Sequence, residues 1–233
     1  MDKSQLSSKN PRREFLGTIA TGAAALGMGA FLSPLDLQAG IPSASQNWAD
    51  ADAWFNTIKG KHRIVFDVTK PHEIMPFVWP RVYLATNGAT GSPEKDCSVV
   101  VILRHDAIGY AMPDALWAKY KFGEMFHADD PATKTASVRN PFYKVPQGTY
   151  KVPGFGVLPI GIDELQASGV MFCVCDAALT VYSSAVAQAT KGDAAAIKKE
   201  WVDNLLPGIQ VVPSGVWAVG RAQEHGCAYC FAS

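Results

Sequence analysis

Neither sign of charge is in excess. Twenty-one Lys and Arg stand against 21 Asp and Glu in 233 residues. That balance gives no electrostatic footprint for a phosphate backbone or an anionic bilayer, so neither nucleic acid nor a membrane surface is an expected partner. A phosphate-binding Gly-rich loop, a G-x-S-x-G elbow and an H-E-x-x-H helix are all missing, which leaves P-loop, serine-hydrolase and zincin chemistry without a sequence basis. The one C-x-x-C, Cys227 to Cys230, has no second pair to complete a zinc site. No metal and no cofactor is therefore expected. Internal repeats and low-complexity tracts are absent beyond the N-terminal stretch.

That stretch carries the first positive signal. Pro11-Arg12-Arg13-Glu14-Phe15-Leu16 resembles a twin-arginine export motif, and the residues from Phe15 to Leu32 are uncharged and rich in Gly and Ala. The run is near bilayer length but only weakly hydrophobic, which favours a cleaved signal over 1–39 rather than a retained anchor. Cleavage after Ala39 leaves roughly 190 residues, enough for one domain with an ample core. The expected compartment is the periplasm, with no membrane contact after cleavage. The expected order is the signal, a linker and short helix at 40–60, and a single domain at 61–233. Export permits disulfides, but the five cysteines (Cys97, Cys173, Cys175, Cys227, Cys230) are an odd number and leave one thiol over or paired between subunits.

Apolar patterning places five strands, at 61–68, 98–105, 170–175, 209–212 and 227–231. The unbroken β-branched run in the second suits a sheet covered on both faces. Helices are expected at 53–59, 73–87, 112–120, 162–168, 176–190, 193–206 and 214–225. In the second of these, Pro80 marks the start of the regular part or a kink. This alternation predicts an α/β three-layer sandwich with a mostly parallel five-stranded sheet. The connection at 127–159 is long and broken by five prolines (Pro131, Pro141, Pro146, Pro153, Pro159). A connection of that length reads as a lid, a binding loop or an oligomer arm.

Candidate chemistry gathers at carboxyl ends of strands, where open α/β sheets bind ligands. Cys175 sits between the third strand and the helix that Asp176 is expected to cap, so its sulfur should feel the first-turn amides. Cys173, two residues earlier, shares its face and is the possible second thiol, or a small buried hydrophobe. Arg104 and His105 close the second strand, where they suit an anion site, acid–base work or a structural role. Ser214 caps the last helix. Cys227 and Cys230 fall on a strand, three apart and on opposite sides, which suits two structural thiols or a bridge to another segment better than a redox pair. His127-Ala-Asp-Asp130 offers metal-ligand atoms, or a solvated loop.

The chain from about His62 to Phe231 resembles the DsrE/DsrF-like family. Two motifs carry the likeness. One is Gly169-Val170-x-Phe172-x-Val174-Cys175-x-x-x-Leu179. The other is Leu206-Pro-Gly-Ile-Gln-Val-Val-Pro-Ser-Gly-Val216, followed by Gln223-x-x-Gly226-x-Ala228-Tyr229. Arg104-His105 with Asp114 to Tyr120 resembles an exported subgroup. The resemblance implies a DsrE-type sheet, homo- or hetero-oligomers often built of trimers, and, by analogy with sulfur-relay members, a cysteine that accepts a persulfide sulfur and hands it on to a partner protein. By motif position that cysteine is Cys175. The long connection and the extra cysteines depart from the smaller relay proteins. The rival expectation is a non-catalytic oligomeric protein that uses the scaffold and its long loop to hold a ligand or partner. A third is a thiol-redox protein working through Cys227 and Cys230.

Overall fold

The computed structural model describes residues 48–233. The expected signal and the start of the linker lie outside the described residues. In chain order the elements are α1 (Ala49–Trp54), β1 (His62–Val68), α2 (Met75–Ala89), β2 (Cys97–Leu103), α3 (Asp114–Tyr120), α4 (Phe122–Met125), β3 (Lys151–Val152), β4 (Gly156–Val157), α5 (Ile162–Ala167), β5 (Met171–Cys175), α6 (Asp176–Thr190), α7 (Ala194–Asp203), β6 (Ile209–Val212), α8 (Gly215–Glu224) and β7 (Ala228–Phe231). Five strands form one sheet in the order β6-β5-β2-β1-β7, every neighbouring pair parallel.

The alternation of side chains along these strands builds the layers. Phe66, Val68, Val99, Val101, Leu103, Phe172 and Val174 enter a large core with Phe77 and Leu84 of α2, Leu179 and Val186 of α6 and Trp201 of α7. The residues between them, Val65, Val100, Ile102 and Cys173, enter a smaller core with Ala51 of α1, the following Phe55, and Ala218 and Ala222 of α8. The sheet is thus covered on both faces, as its unbroken β-branched runs require. Among the described residues no helix is long and apolar enough to cross a membrane.

Several boundaries differ from expectation. The first helix begins at Ala49 rather than Ala53, and residues 49–52 of the expected linker are already helical. They open a segment whose Ala51, Phe55 and Ile58 are buried. α2 begins at Met75, not Pro80: Pro76 occupies the first turn, where a missing N–H costs nothing, and Pro80 is carried inside the helix. Both prolines are buried.

The long connection is not a free lid or arm. Asn140 is 1% exposed; its Nδ2 donates to the carbonyls of Tyr110 and Met112 and its Oδ1 accepts from the Phe142 amide. Phe142 is fully buried, with its ring 4.3 Å from Phe77, 5.4 Å from Tyr110 and 5.3 Å from Tyr150. Buried Asp130 holds Arg139 through Nε at 3.0 Å and Nη2 at 2.9 Å. Gly123 of α4 admits the strap closely: a Cβ there would lie 2.2 Å from the Ser137 carbonyl oxygen.

Candidate functional site

Each of the five strands delivers one polar side chain towards the carboxyl edge of the sheet. Asp67 comes from β1, Arg104 directly follows β2, Cys175 ends β5, Ser214 follows β6 and Tyr229 lies on β7. Asp67, only 1% exposed, is the anchor. Arg104 donates to it twice, from Nε at 2.6 Å and from Nη2 at 2.8 Å, and the Tyr229 hydroxyl donates at 2.9 Å. The guanidinium is held above its ordinary pKa by its hydrogen bonds to Asp67, against some desolvation, with Tyr229 and Cys175 adding to the effect. The Arg104 stem lies on Gly215 at the start of α8, where a Cβ would meet its side-chain carbons at 2.5–3.0 Å. Glycine is what lets the arginine reach the edge by this path.

Cys175 differs from expectation in its detail. The cap of α6 is the cysteine, not Asp176: Cys175 Sγ accepts the Ala178 amide at 3.3 Å. Asp176 is the first helical residue, 2% exposed, and turns to Lys198 of α7, with Nζ 2.7 Å from Oδ1 and 2.8 Å from Oδ2. Its charge is neutralised there, not on the helix amides. Cys173 and Cys175 were expected on one face, yet Cys173 belongs to the smaller core and Cys175 contacts the larger. The reason is local. At its last residue the strand turns into the helix, and the sulfur folds back onto the first turn. Cys173 is fully buried, and burial, then the neighbouring Cys175, drives its thiol far above the usual range.

The remaining expected residues divide. Ser214 is spent as a cap, its Oγ accepting the Trp217 amide at 3.2 Å. His105 turns away from Arg104 through a left-handed backbone, φ 51°. Its ring is exposed, with Nδ1 3.1 Å from Asp106 Oδ1, the same oxygen that accepts the Tyr182 hydroxyl. Burial, then that bond to Asp106, pushes the Tyr182 phenol upward, so it stays a donor. His105 is therefore not in the Asp67–Arg104 cluster. Cys227 lies in the smaller core while Cys230 packs against the larger, on opposite sides of β7. All five thiols are free. Burial pushes Cys227 up to about 11, with Arg63 pulling the other way, and also raises Cys230. This pair is not arranged as a redox centre. Of the 127–130 stretch, Asp130 is committed to Arg139, and among the described residues no group of three His, Cys, Asp or Glu is arranged to hold a metal ion.

Compared with known proteins, the chain matches no protein-family model, and a search of curated proteins returns no match. Asp67 was missed by sequence reasoning. Its signal was present, as the only charged residue in the run Ile64-Val-Phe-Asp-Val68. A carboxylate inside a buried strand calls for a partner, and Arg104 at the end of the adjacent strand is that partner. The arrangement brings together a buried sulfur at a helix start, a fixed guanidinium and a phenol. It suits chemistry in which a sulfur atom carries negative charge.

Proposed function

We propose that this protein is an exported, DsrE-like sulfur carrier that takes up sulfane sulfur on Cys175 as a persulfide. One observation carries the proposal. The Cys175 sulfur caps a 15-residue helix through the Ala178 amide, at the same edge of the sheet as Arg104. An amide donated at the start of a helix stabilises negative charge on a sulfur acceptor, which a persulfide anion carries.

In the loading step the Cys175 thiolate attacks the outer sulfur of a donor persulfide, R–S–S–H. A Cys175 S–S bond forms and the donor S–S bond breaks. The R–S⁻ leaving group takes the electron pair, and the proton stays on the transferred sulfur. No external oxidant or reductant enters. Attack on that outer sulfur by an acceptor thiolate reverses the step and hands it on. Asp67 acts as a positioning residue for Arg104. The parallel five-stranded sheet supports the DsrE-like reading at the level of architecture.

We further propose a periplasmic homo-oligomer, a trimer or a multiple of one, working with a donor or acceptor protein. Edge strand β7 exposes Tyr229 and Phe231, which supports association at that edge. The test of the reaction is loading with a persulfide donor, followed by release of the labile sulfur with cyanide. Wild-type protein is expected to release sulfur, whereas Cys175→Ser, with an unchanged circular-dichroism spectrum, is expected to release none. Undiminished release from the variant would overturn the proposal.

A further inference from the structure

The Cys175 sulfur has a carboxylate as its next neighbour in the chain. Asp176 opens α6 and is 2% exposed. The amides that follow it are given elsewhere: that of Ala177 to the Pro213 carbonyl at 3.2 Å, and that of Ala178 to Cys175 Sγ at 3.3 Å. A cation from another helix meets the carboxylate instead. Lys198 Nζ of α7 stands 2.7 Å from Oδ1 and 2.8 Å from Oδ2, so both oxygens are engaged. The next lysine, Lys199, pairs within its own helix with Asp203. Lys198 alone of the two reaches across to α6.

A buried ion pair adds little stability over an apolar pair of similar size, because desolvation offsets the attraction. Leu179, Val186 and Trp201 on these same two helices are in the large core. The effect of the pair on its surroundings is larger than its effect on stability. An unmatched carboxylate one residue from a thiol opposes the thiolate, as a like charge does. A matched one leaves the Ala178 amide and the start of α6 to act on the sulfur unopposed.

We infer that Lys198 is a positioning residue for Cys175: by holding the Asp176 carboxylate, it keeps a negative charge from opposing a thiolate or persulfide anion on the neighbouring sulfur. Its bearing on sulfur transfer rests on the reading of Cys175 as the carrier thiol, whereas its effect on ionisation does not. The other titratable groups around Cys175 are Arg104, bound to Asp67 beside Tyr229, and Cys173 two residues back in the strand. On the segment after β2, His105 and Asp106 pair with each other, and Tyr182 of α6 bonds to Asp106. The variants below leave all of these in place.

The test is the rate of Cys175 alkylation by iodoacetamide in the full chain from about pH 6 to about pH 10, read by mass spectrometry with no sulfur donor present. Lys198→Met keeps the stem and removes the charge. It should slow labelling about three- to tenfold near pH 7.5 and move the profile to higher pH, with the plateau kept within about twofold, because charge governs loss of the proton and not access. Asp176→Asn should speed labelling near pH 7.5 by about threefold. Joining the two substitutions should bring the rate back to within about twofold of wild type, and Lys198→Arg should hold it there. Should Lys198→Met fail to fold, Asp176→Asn and the double variant decide, since neither buries an unmatched carboxylate. An unmoved profile in Lys198→Met, a lowered plateau without displacement, or no gain in Asp176→Asn would overturn the inference. These shifts without persulfide loading would sink sulfur carriage alone, and normal loading with unmoved rates would sink the role of Lys198 alone.

Discussion

Cys175 and Cys227 each expose 6% of their surface, so access alone does not separate them. Their surroundings do. Cys227 is pushed up to about 11 by burial, so at pH 8 roughly a thousandth of it is thiolate. Cys175 receives a helix amide on its sulfur. On single-cysteine variants at pH 8, iodoacetamide is expected to label Cys175 ahead of both Cys227 and the fully buried Cys173. The Cys227 rate should climb with pH until about 11, because that is where its proton leaves. Equal rates at Cys175 and Cys227 at pH 8 would remove the argument from the helix start. The junction itself was readable from the sequence, as an apolar run ending in Cys-Asp before a helical pattern. Which of the two residues caps the helix was not, because both can accept an amide. The choice falls to Lys198, 22 residues on, which draws the Asp176 carboxylate away.

Among the elements, the strands and the helices between them follow from local pattern, and α6 and β6 have the expected bounds. For the long connection, the oligomer-arm expectation rests on aromatics whose direction proline content and polarity do not reveal. Phe142 and Tyr150 face their own core and are not available to a second copy. Phe142→Ala is accordingly expected to destabilise the full chain by about 3–5 kcal/mol, as truncation of a buried aromatic does. Urea unfolding followed by circular dichroism measures it. A loss below about 1 kcal/mol would return the segment to the role of a surface arm. At Pro80 the sequence pattern leaves a helix start or a kink open; the helix starts earlier, with Pro76 in its first turn and Pro80 inside it.

At the scale of the whole molecule, both faces of the sheet are covered and only its edges remain. The β7 edge presents Tyr229 at 48% and Phe231 at 52% exposure, the former also bonded to Asp67. An oligomer closing on that edge would therefore abut the cluster around Arg104. Native mass spectrometry of periplasmic material is expected to give a trimer, or a multiple of one, of a subunit beginning near Gly40. A monomer, or a subunit that retains residues 1–39, would contradict that assembly. The strand order and the meeting of Asp67 with Arg104 and Tyr229 were beyond the sequence, since they depend on which strands become neighbours. The central claim concerns one sulfur atom. Full-length protein incubated with a persulfide donor, digested without reductant and mapped by mass spectrometry, should carry one additional sulfur on the peptide containing Cys175, and none on those containing Cys97, Cys227 or Cys230. Cys173 shares the Cys175 peptide, so fragmentation must place the sulfur on Cys175. Sulfur located on any other cysteine, or on none while Cys175 remains open to alkylation, would contradict the account.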